Sequence, residues 1–330
     1  MDDILDPSTS APIVDAAERW TSDRIRSWSV TLRENLAAWL QPNLDLVGDA
    51  EWGAIGRQMT GLGVGEPLDW ANRRIKLADG EWAITGIRFR GGDLAKPFVD
   101  VIATSLPPSA EGLGLLAEIL PHYADFAPLC LRANAPDPVG LISAIDRAGP
   151  AAGHAAVDLW IVAGRIRDLS AREPAAGEAR VALEKISPDA AAARAAEIYA
   201  EIANSRPDIA EWAIPEDAES LSECAEEGLL FEVRVDGVPA GVAALARDDS
   251  FGLRGWCVHE ICLDSEHRGR GLGPVVLRQL AGRLPTANDV LWGHIHPDNQ
   301  ASLRNALAAG REIVGAQLWL TPEGYPGMPG

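Results

Sequence analysis

Two Asp-Gly dipeptides, far apart in the chain, constrain the fold more than any other feature. Asp79-Gly80 lies between the β-prone runs Arg74 to Leu77 and Trp82 to Phe89, and Asp236-Gly237 lies between Leu229 to Val235 and Val238 to Leu245. Such a dipeptide between apolar runs is a strong hairpin signal, because both central residues of a type I′ turn need positive φ. The segments after the two hairpins are also alike. An apolar strand (Phe98 to Ala103; Val258 to Leu263) runs into a loop closing on Gly112-Leu113-Gly114 or Gly271-Leu272-Gly273. A helix comes next, then a short strand (Leu129 to Ala133; Val290 to His296), a Pro-Asp dipeptide at 136 or 297, and a helix ending at Gly149 or Gly310. A last strand, Val157 to Ala163 or Ile313 to Leu320, is expected to close its own unit. The paired landmarks stand roughly 160 residues apart throughout, so the chain reads as two copies of one supersecondary unit.

A length of 330 residues accommodates two such units, each large enough to bury a core. The expected division is a polar, Pro-containing tail over 1–18, a first unit over 19–170 and a second over 171–330, with a linker at Ser170 to Gly177. At 47% hydrophobic and 23% charged residues, the composition is that of a soluble globular protein. The formal net charge of −19 argues against binding nucleic acid or anionic membrane surfaces. Four cysteines without a Cys-x-x-Cys pair do not make a disulfide framework. With no signal-like N-terminus and no run of roughly 20 apolar residues, the expectation is a reduced, cytoplasmic protein.

Chemistry concentrates at Arg268-Gly269-Arg270-Gly271-Leu272-Gly273, between a strand and a helix. Successive main-chain amides at a glycine-rich strand-to-helix turn form an anion nest, reinforced by the positive end of the helix dipole. Pro274 suits the first turn of that helix, and Val276, Leu277, Leu280 and Leu284 have amphipathic spacing. His267, Arg268 and Arg270 add local positive charge to an otherwise acidic chain, which argues for an anionic ligand here. The loop lacks the Gly-Lys-Ser/Thr ending of a Walker A loop and the third glycine of a dinucleotide fingerprint.

The pattern Arg-x-x-Gly-x-Gly after a strand and before a helix resembles the acetyl-CoA signature of the GNAT (GCN5-related N-acetyltransferase) superfamily. The resemblance covers about residues 178 to 320 with its motifs, and extends in outline over about 20 to 165. It implies an α/β (α+β) fold of tandem GNAT-like units, each a mixed, mostly antiparallel sheet flanked by helices, similar in layout to mycothiol synthases. It further implies that acetyl-CoA is the acyl donor, bound by Ile261, Cys262, Leu263, Arg268, Gly269, Arg270, Gly271, Leu272, Gly273 and Asn299, and that a small-molecule primary amine is the acceptor. Asn299 reads equally as a helix N-cap, with Asp298 its rival.

In the same resemblance, a backbone amide near Leu263 stabilises the oxyanion. Glu260 is the base that deprotonates the amine, and His259 is its substitute. One position departs from the pattern: the tyrosine that usually stands seven residues after the asparagine (306−299=7), and serves as acid, is Ala306 here. Ser302, Tyr325 or solvent would have to replace it. In the N-terminal copy, Ser109-Ala110-Glu111-Gly112 aligns with Arg268 to Gly271, so both arginines are lost and a glutamate stands where it would repel pyrophosphate. That copy is read as degenerate.

Cys257, His259, Cys262, His294 and His296 occupy two neighbouring strands, but their spacing is not that of a metal site and none is expected. Cys257 and Cys262 should face opposite sides of the strand unless a bulge intervenes, and His294 and His296 share a face that could line the acceptor site. The Ala-rich run from Asp189 to Ala196 is read as a helix start without chemistry. A non-catalytic acyl-CoA-binding sensor and an acetyltransferase of protein N-termini or lysines are the alternative functions, and an oligomer is compatible with the sequence.

Overall fold

The computed structural model describes residues 10–173, 178–210 and 212–329. In chain order the helices are α1 (Ser10–Arg19), α2 (Asp23–Trp28), α3 (Leu32–Leu44), α4 (Ala50–Thr60), α5 (Pro67–Trp70), α6 (Ala110–Leu115), α7 (Pro138–Ala148), α8 (Ile166–Ser170), α9 (Pro188–Ser205), α10 (Ala218–Glu226), α11 (Leu272–Ala281) and α12 (Gln300–Ala309). The strands are β1 (Arg73–Lys76), β2 (Trp82–Phe89), β3 (Pro97–Thr104), β4 (Leu131–Ala135), β5 (His154–Arg165), β6 (Val181–Lys185), β7 (Leu230–Val235), β8 (Val238–Arg247), β9 (Gly255–Leu263), β10 (Val290–Ile295) and β11 (Glu312–Thr321).

Residue contacts divide the chain into two compact units. The first holds the residues up to Leu159, Ser250–Gly252 and those from Val314; the second holds Trp160–Asp249 and Leu253–Ile313. Helix α1 departs from the expected loose tail, because Ile13, Val14, Ala16 and Ala17 are buried and give residues from Ser10 onward a reason to fold. Of the expected linker from Ser170 to Gly177, Ser170 ends α8 and residues 174–177 lie outside the described residues.

In the first unit the sheet runs β1-β2-β3-β4-β11. Asp79 and Gly80 both take positive φ, as a type I′ turn requires. β3 and β4 pair in parallel from Val99↔Leu131 to Val101↔Ala133 and then part. β11 runs antiparallel to β4, with Ala316 opposite Ala135.

The second unit repeats the plan in the order β5-β10-β9-β8-β7-β6. Asp236 and Gly237 again have positive φ. The parallel pairing of β9 with β10 stops at Cys257↔Trp292, and β10 pairs on its other side with residues Trp160 to Arg165 of β5. Each copy's final strand therefore completes the sheet of the other unit, which corrects the expectation that it would close its own. The sequence marks these segments as strands, but a ladder is satisfied by any edge of suitable register.

Residues on β8 show how the sheet of the second unit is held. Val242, Ala244 and Ala246 face α9 and α10, where Ala191, Ala195, Ile198, Leu221 and Cys224 form a buried layer. Ala243 and Leu245 face the opposite way, onto Leu272, Val275, Val276, Leu277 and Leu280 of α11. Each fully buried Val, Leu or Ile among them contributes about 1.5–3 kcal/mol. The two layers clamp β9 from both faces and so set the position of the residues it carries.

Candidate active site

The glycine loop is built from its first residue, Asp264. Its carboxylate accepts two hydrogen bonds at 2.6 Å from Arg194 Nη2 of α9, its amide donates to the Ala240 carbonyl, and its carbonyl accepts from the amides of His267 and Arg268. The chain turns there and leaves Gly269, Arg270 and Gly271 exposed. Gly269 and Gly271 each have φ 73°, a left-handed conformation that suits glycine. Gly271 is the N-cap of α11 and makes no side-chain cap. Among the described residues the amides of Gly269, Arg270 and Gly271 have no hydrogen-bond partner, and those of Leu272 and Gly273 belong to the uncapped first turn. Side chains at residues 269 and 271 would meet no atom within 4 Å, whereas one at Gly273 would strike Asn305 of α12. Arg268 pairs with Glu201 of α9 at 3.2 Å, while Arg270 is exposed and makes no ion pair among the described residues. The result is a run of amides without partners at the N-terminus of α11, exposed at Gly269, Arg270 and Gly271.

The corresponding loop of the first unit is filled by its own atoms. Ser109 caps α6 by accepting from the Gly112 amide at 3.1 Å, and a side chain at residue 112 would collide with the Pro107 carbonyl oxygen. Trp39 packs against Phe251 at 4.9 Å, and both line an apolar pocket where β3 and β4 part.

Beyond Cys257↔Trp292 the second unit's strands also part, and a β-bulge lies just past the apex. Ala244 pairs with Glu260 but Leu245 pairs with Val258, so His259 is the extra residue. Its effect is to place Cys257, Glu260 and Cys262 on one face, opposite Ala246, Ala244 and Val242. The bulge on which the expected strand alternation was conditional is therefore present. The first unit has its bulge at the equivalent place, at Ile102, but Ala103 follows where the second unit has Glu260. Asp264 and Cys262 turn their main chain toward β8, so by alternation Ile261 and Leu263 turn theirs toward the gap between β9 and β10.

Glu260 is 3% exposed. Burial pushes its pKa up to about 7, opposed by hydrogen bonds from the Tyr199 hydroxyl (3.0 Å) and the Glu216 amide (3.4 Å). Burial and the nearby Glu260 carboxylate raise Tyr199 well above the ordinary phenol range, so it stays protonated and donates. Tyr199, Arg194 and Glu201 all lie on α9; Tyr199 and Glu201 follow the Ala-rich run Asp189 to Ala196, and Arg194 within that run holds Asp264. Trp212 stacks on His296 with ring centroids 4.5 Å apart and planes 11° from parallel. Composition offered no way to single out Tyr199 or Trp212.

Asn299 is the N-cap of α12, accepting from the Ser302 amide at 3.1 Å. Its Oδ1 is thereby used and its amide nitrogen remains to donate. Ala306 is fully buried with Val162 and Ile295, so no hydroxyl group occupies the position where the resemblance implies an acid. Tyr325 belongs to the first unit. His294 is exposed on the same face as His296, with its ring edge-on to Trp292 at 5.0 Å. All four cysteines are free and buried, and among the described residues no three His, Cys, Asp or Glu are placed to hold a metal ion.

Comparison with known families gives this geometry a context. Residues 194–310, which include α9's Arg194 and Tyr199, the bulged strand, the loop and α12, match the family model described as "Acetyltransferase (GNAT) family". This stretch is a GNAT-family domain. Solved structures similar to the chain include an acetyltransferase from the GNAT family of Colwellia psychrerythraea (9% identity, 77% of this chain and 85% of that one, TM-score 0.46). A GCN5-related N-acetyltransferase from Sphaerobacter thermophilus aligns at 16% identity over 80% of this chain and 87% of that one, with TM-score 0.46. Another from Kribbella flavida aligns at 17% identity over 85% and 95%, with TM-score 0.40. No curated protein matches the chain. As a GNAT domain the second unit is built for acyl transfer, and no helix among the described residues is long and apolar enough to cross a membrane.

Proposed function

We propose that the GNAT domain is an N-acyltransferase that takes its acyl group from acyl-CoA, acetyl-CoA being the simplest donor, and passes it to the primary amine of a small molecule. The open row of amides from Gly269 to Gly273 carries this reading, because its counterpart at Gly112 is closed by Ser109. A pyrophosphate matches those amides and the positive end of α11, and Arg270 adds charge without an internal partner. Arg268 supports the loop through Glu201. The Asn299 amide nitrogen is a further donor at the start of α12.

When bound, acetyl-CoA supplies a thioester carbonyl open to attack by an amine. Leu263, whose main chain faces the gap between β9 and β10, is the amide donor assigned to that carbonyl oxygen as it gains charge. Glu260 takes the proton of the attacking amine, directly or through water, since a carboxylate near pKa 7 is matched to operation at neutral pH. His259, displaced by the bulge, is the substitute. Trp212 and His296 offer a flat aromatic wall to the acceptor. Ser302 or solvent returns a proton to the thiolate, Ala306 having none to give.

The buried Ala306 favours a second reading, a sensor that binds acyl-CoA without turnover. Thiol release from acetyl-CoA with a panel of small amines and peptides separates the two. Saturable release with a small amine supports the enzyme; release only with peptides moves the acceptor to protein termini or lysines. Calorimetric binding of acetyl-CoA with no release from any amine refutes the enzyme.

A further inference from the structure

Arg311, between α12 and β11, is 5% exposed, and its Nε and Nη1 are buried without hydrogen-bond partners. Its Cα packs over Gly164 of β5, 3.3 Å from where a side-chain carbon would sit on that glycine. The side chain crosses β10 over Gly293: a methyl group added there would lie 3.5 Å from Arg311 Nη1, 3.5 Å from Val258 Cβ and 3.7 Å from the Val258 carbonyl oxygen. A Cβ on Gly164 would crowd this arginine, while one on Gly293 would only touch it, so the side chain lies within van der Waals reach of both strands. Val258 and Gly293 are the first residues past the last parallel pair, so the guanidinium lies at the apex of the gap between β9 and β10. By strand alternation Gly293 shares a face with Leu291, which packs on α11, and Ile295, which packs on Ala306 of α12. Glu260 and Tyr199 lie on the opposite face, with α9 and α10.

We infer that Arg311 is an anion subsite for the acyl group of the donor, and that the preferred donor is an acyl-CoA whose short acyl chain ends in a carboxylate, of the succinyl class. The inference rests on the acyl-CoA reading of the domain and narrows its donor. A buried guanidinium whose Nε and Nη1 lack partners is costly, and a carboxylate is the group its planar fork fits best. Among the described residues no carboxylate pairs with it, and burial lowers its pKa to about 10, opposed by Cys257. The location on the helix face, at the end of the gap lined by Ile261 and Leu263, assigns the anion to the donor and not to the acceptor beside Glu260. In the transfer, the amine lone pair forms the C–N bond and the C–S bond breaks with its electrons on sulfur. The amine's proton ends on that sulfur, giving amide and thiol, while the distal carboxylate stays unchanged on Arg311.

Calorimetric titration with CoA, acetyl-CoA and succinyl-CoA, without acceptor, tests this on the wild type and on Arg311→Met and Arg311→Lys. The wild type should bind succinyl-CoA at least tenfold more tightly than acetyl-CoA. Arg311→Met should remove that preference while keeping CoA affinity within about twofold and the thermal midpoint at or above the wild-type value, since it deletes an unpaired buried charge. Arg311→Lys should retain part of the preference. Equal affinities in the wild type, or a preference that survives Arg311→Met, overturn the inference and leave the acyl-CoA reading standing. Failure of CoA itself to bind the wild type overturns both.

Discussion

Replacing Glu260 by Gln isolates the cost of ionising a carboxylate inside the second unit. Burial raises its pKa from 4.5 to about 7. Between those values the folded protein holds a proton that the unfolded chain has lost, so stability falls as pH rises. Nothing is lost below the unfolded value, the loss accumulates through the window, and it is constant above about pH 7. At about 1.4 kcal/mol per pKa unit, the full loss is roughly 3 kcal/mol. Gln cannot ionise, so the unfolding free energy of Glu260→Gln relative to wild type should rise by about that amount between pH 4.5 and 8. Urea denaturation followed by tryptophan fluorescence at several pH values measures it. Tyr199→Phe sharpens the test: without the hydroxyl that stabilises the carboxylate, the decline should still begin near pH 4.5 but extend about one unit higher, as the loss of a hydrogen bond to a charged group implies. A difference between Glu260→Gln and wild type that stays flat from pH 4.5 to 8 refutes the claim that this carboxylate is held near neutrality by burial.

The double substitution Arg268→Glu with Gly271→Asp should abolish calorimetrically detectable CoA binding with the circular-dichroism spectrum unchanged, whereas Glu111→Gln should leave affinity unaltered. Ala306→Tyr should destabilise the protein by about 1–3 kcal/mol in thermal or urea unfolding, because the site is fully packed, and should not raise thiol release.

Local chemistry made much of this molecule legible. Asp79-Gly80 and Asp236-Gly237 announce their hairpins because positive φ is a property of the two turn residues alone. Gly269 and Gly271 likewise mark the nest, and Gly149 and Gly310 mark helix ends at positive φ. The repeat emerged because the same local signals recur in the same order. The contrast between Arg268 to Gly273 and Ser109 to Gly112 was written in residue types, and the geometry of the two loops agrees with it.

Tertiary structure decided the features whose partners are distant in sequence. Tyr199 reaches Glu260 across 61 residues, and neither α9 nor β9 carries a mark of the other. His259 becomes a bulge only through the register of β9 on β8, and that one extra residue turns Glu260 toward α9. Arg311 is an ordinary arginine until the fold lays it over Gly164 of β5 and Gly293 of β10. The exchange of β5 and β11 is of the same kind. Backbone propensity and apolar alternation dictate that a segment is a strand, but every strand offers the same hydrogen-bonding groups, and only packing of the whole chain selects which edge it joins.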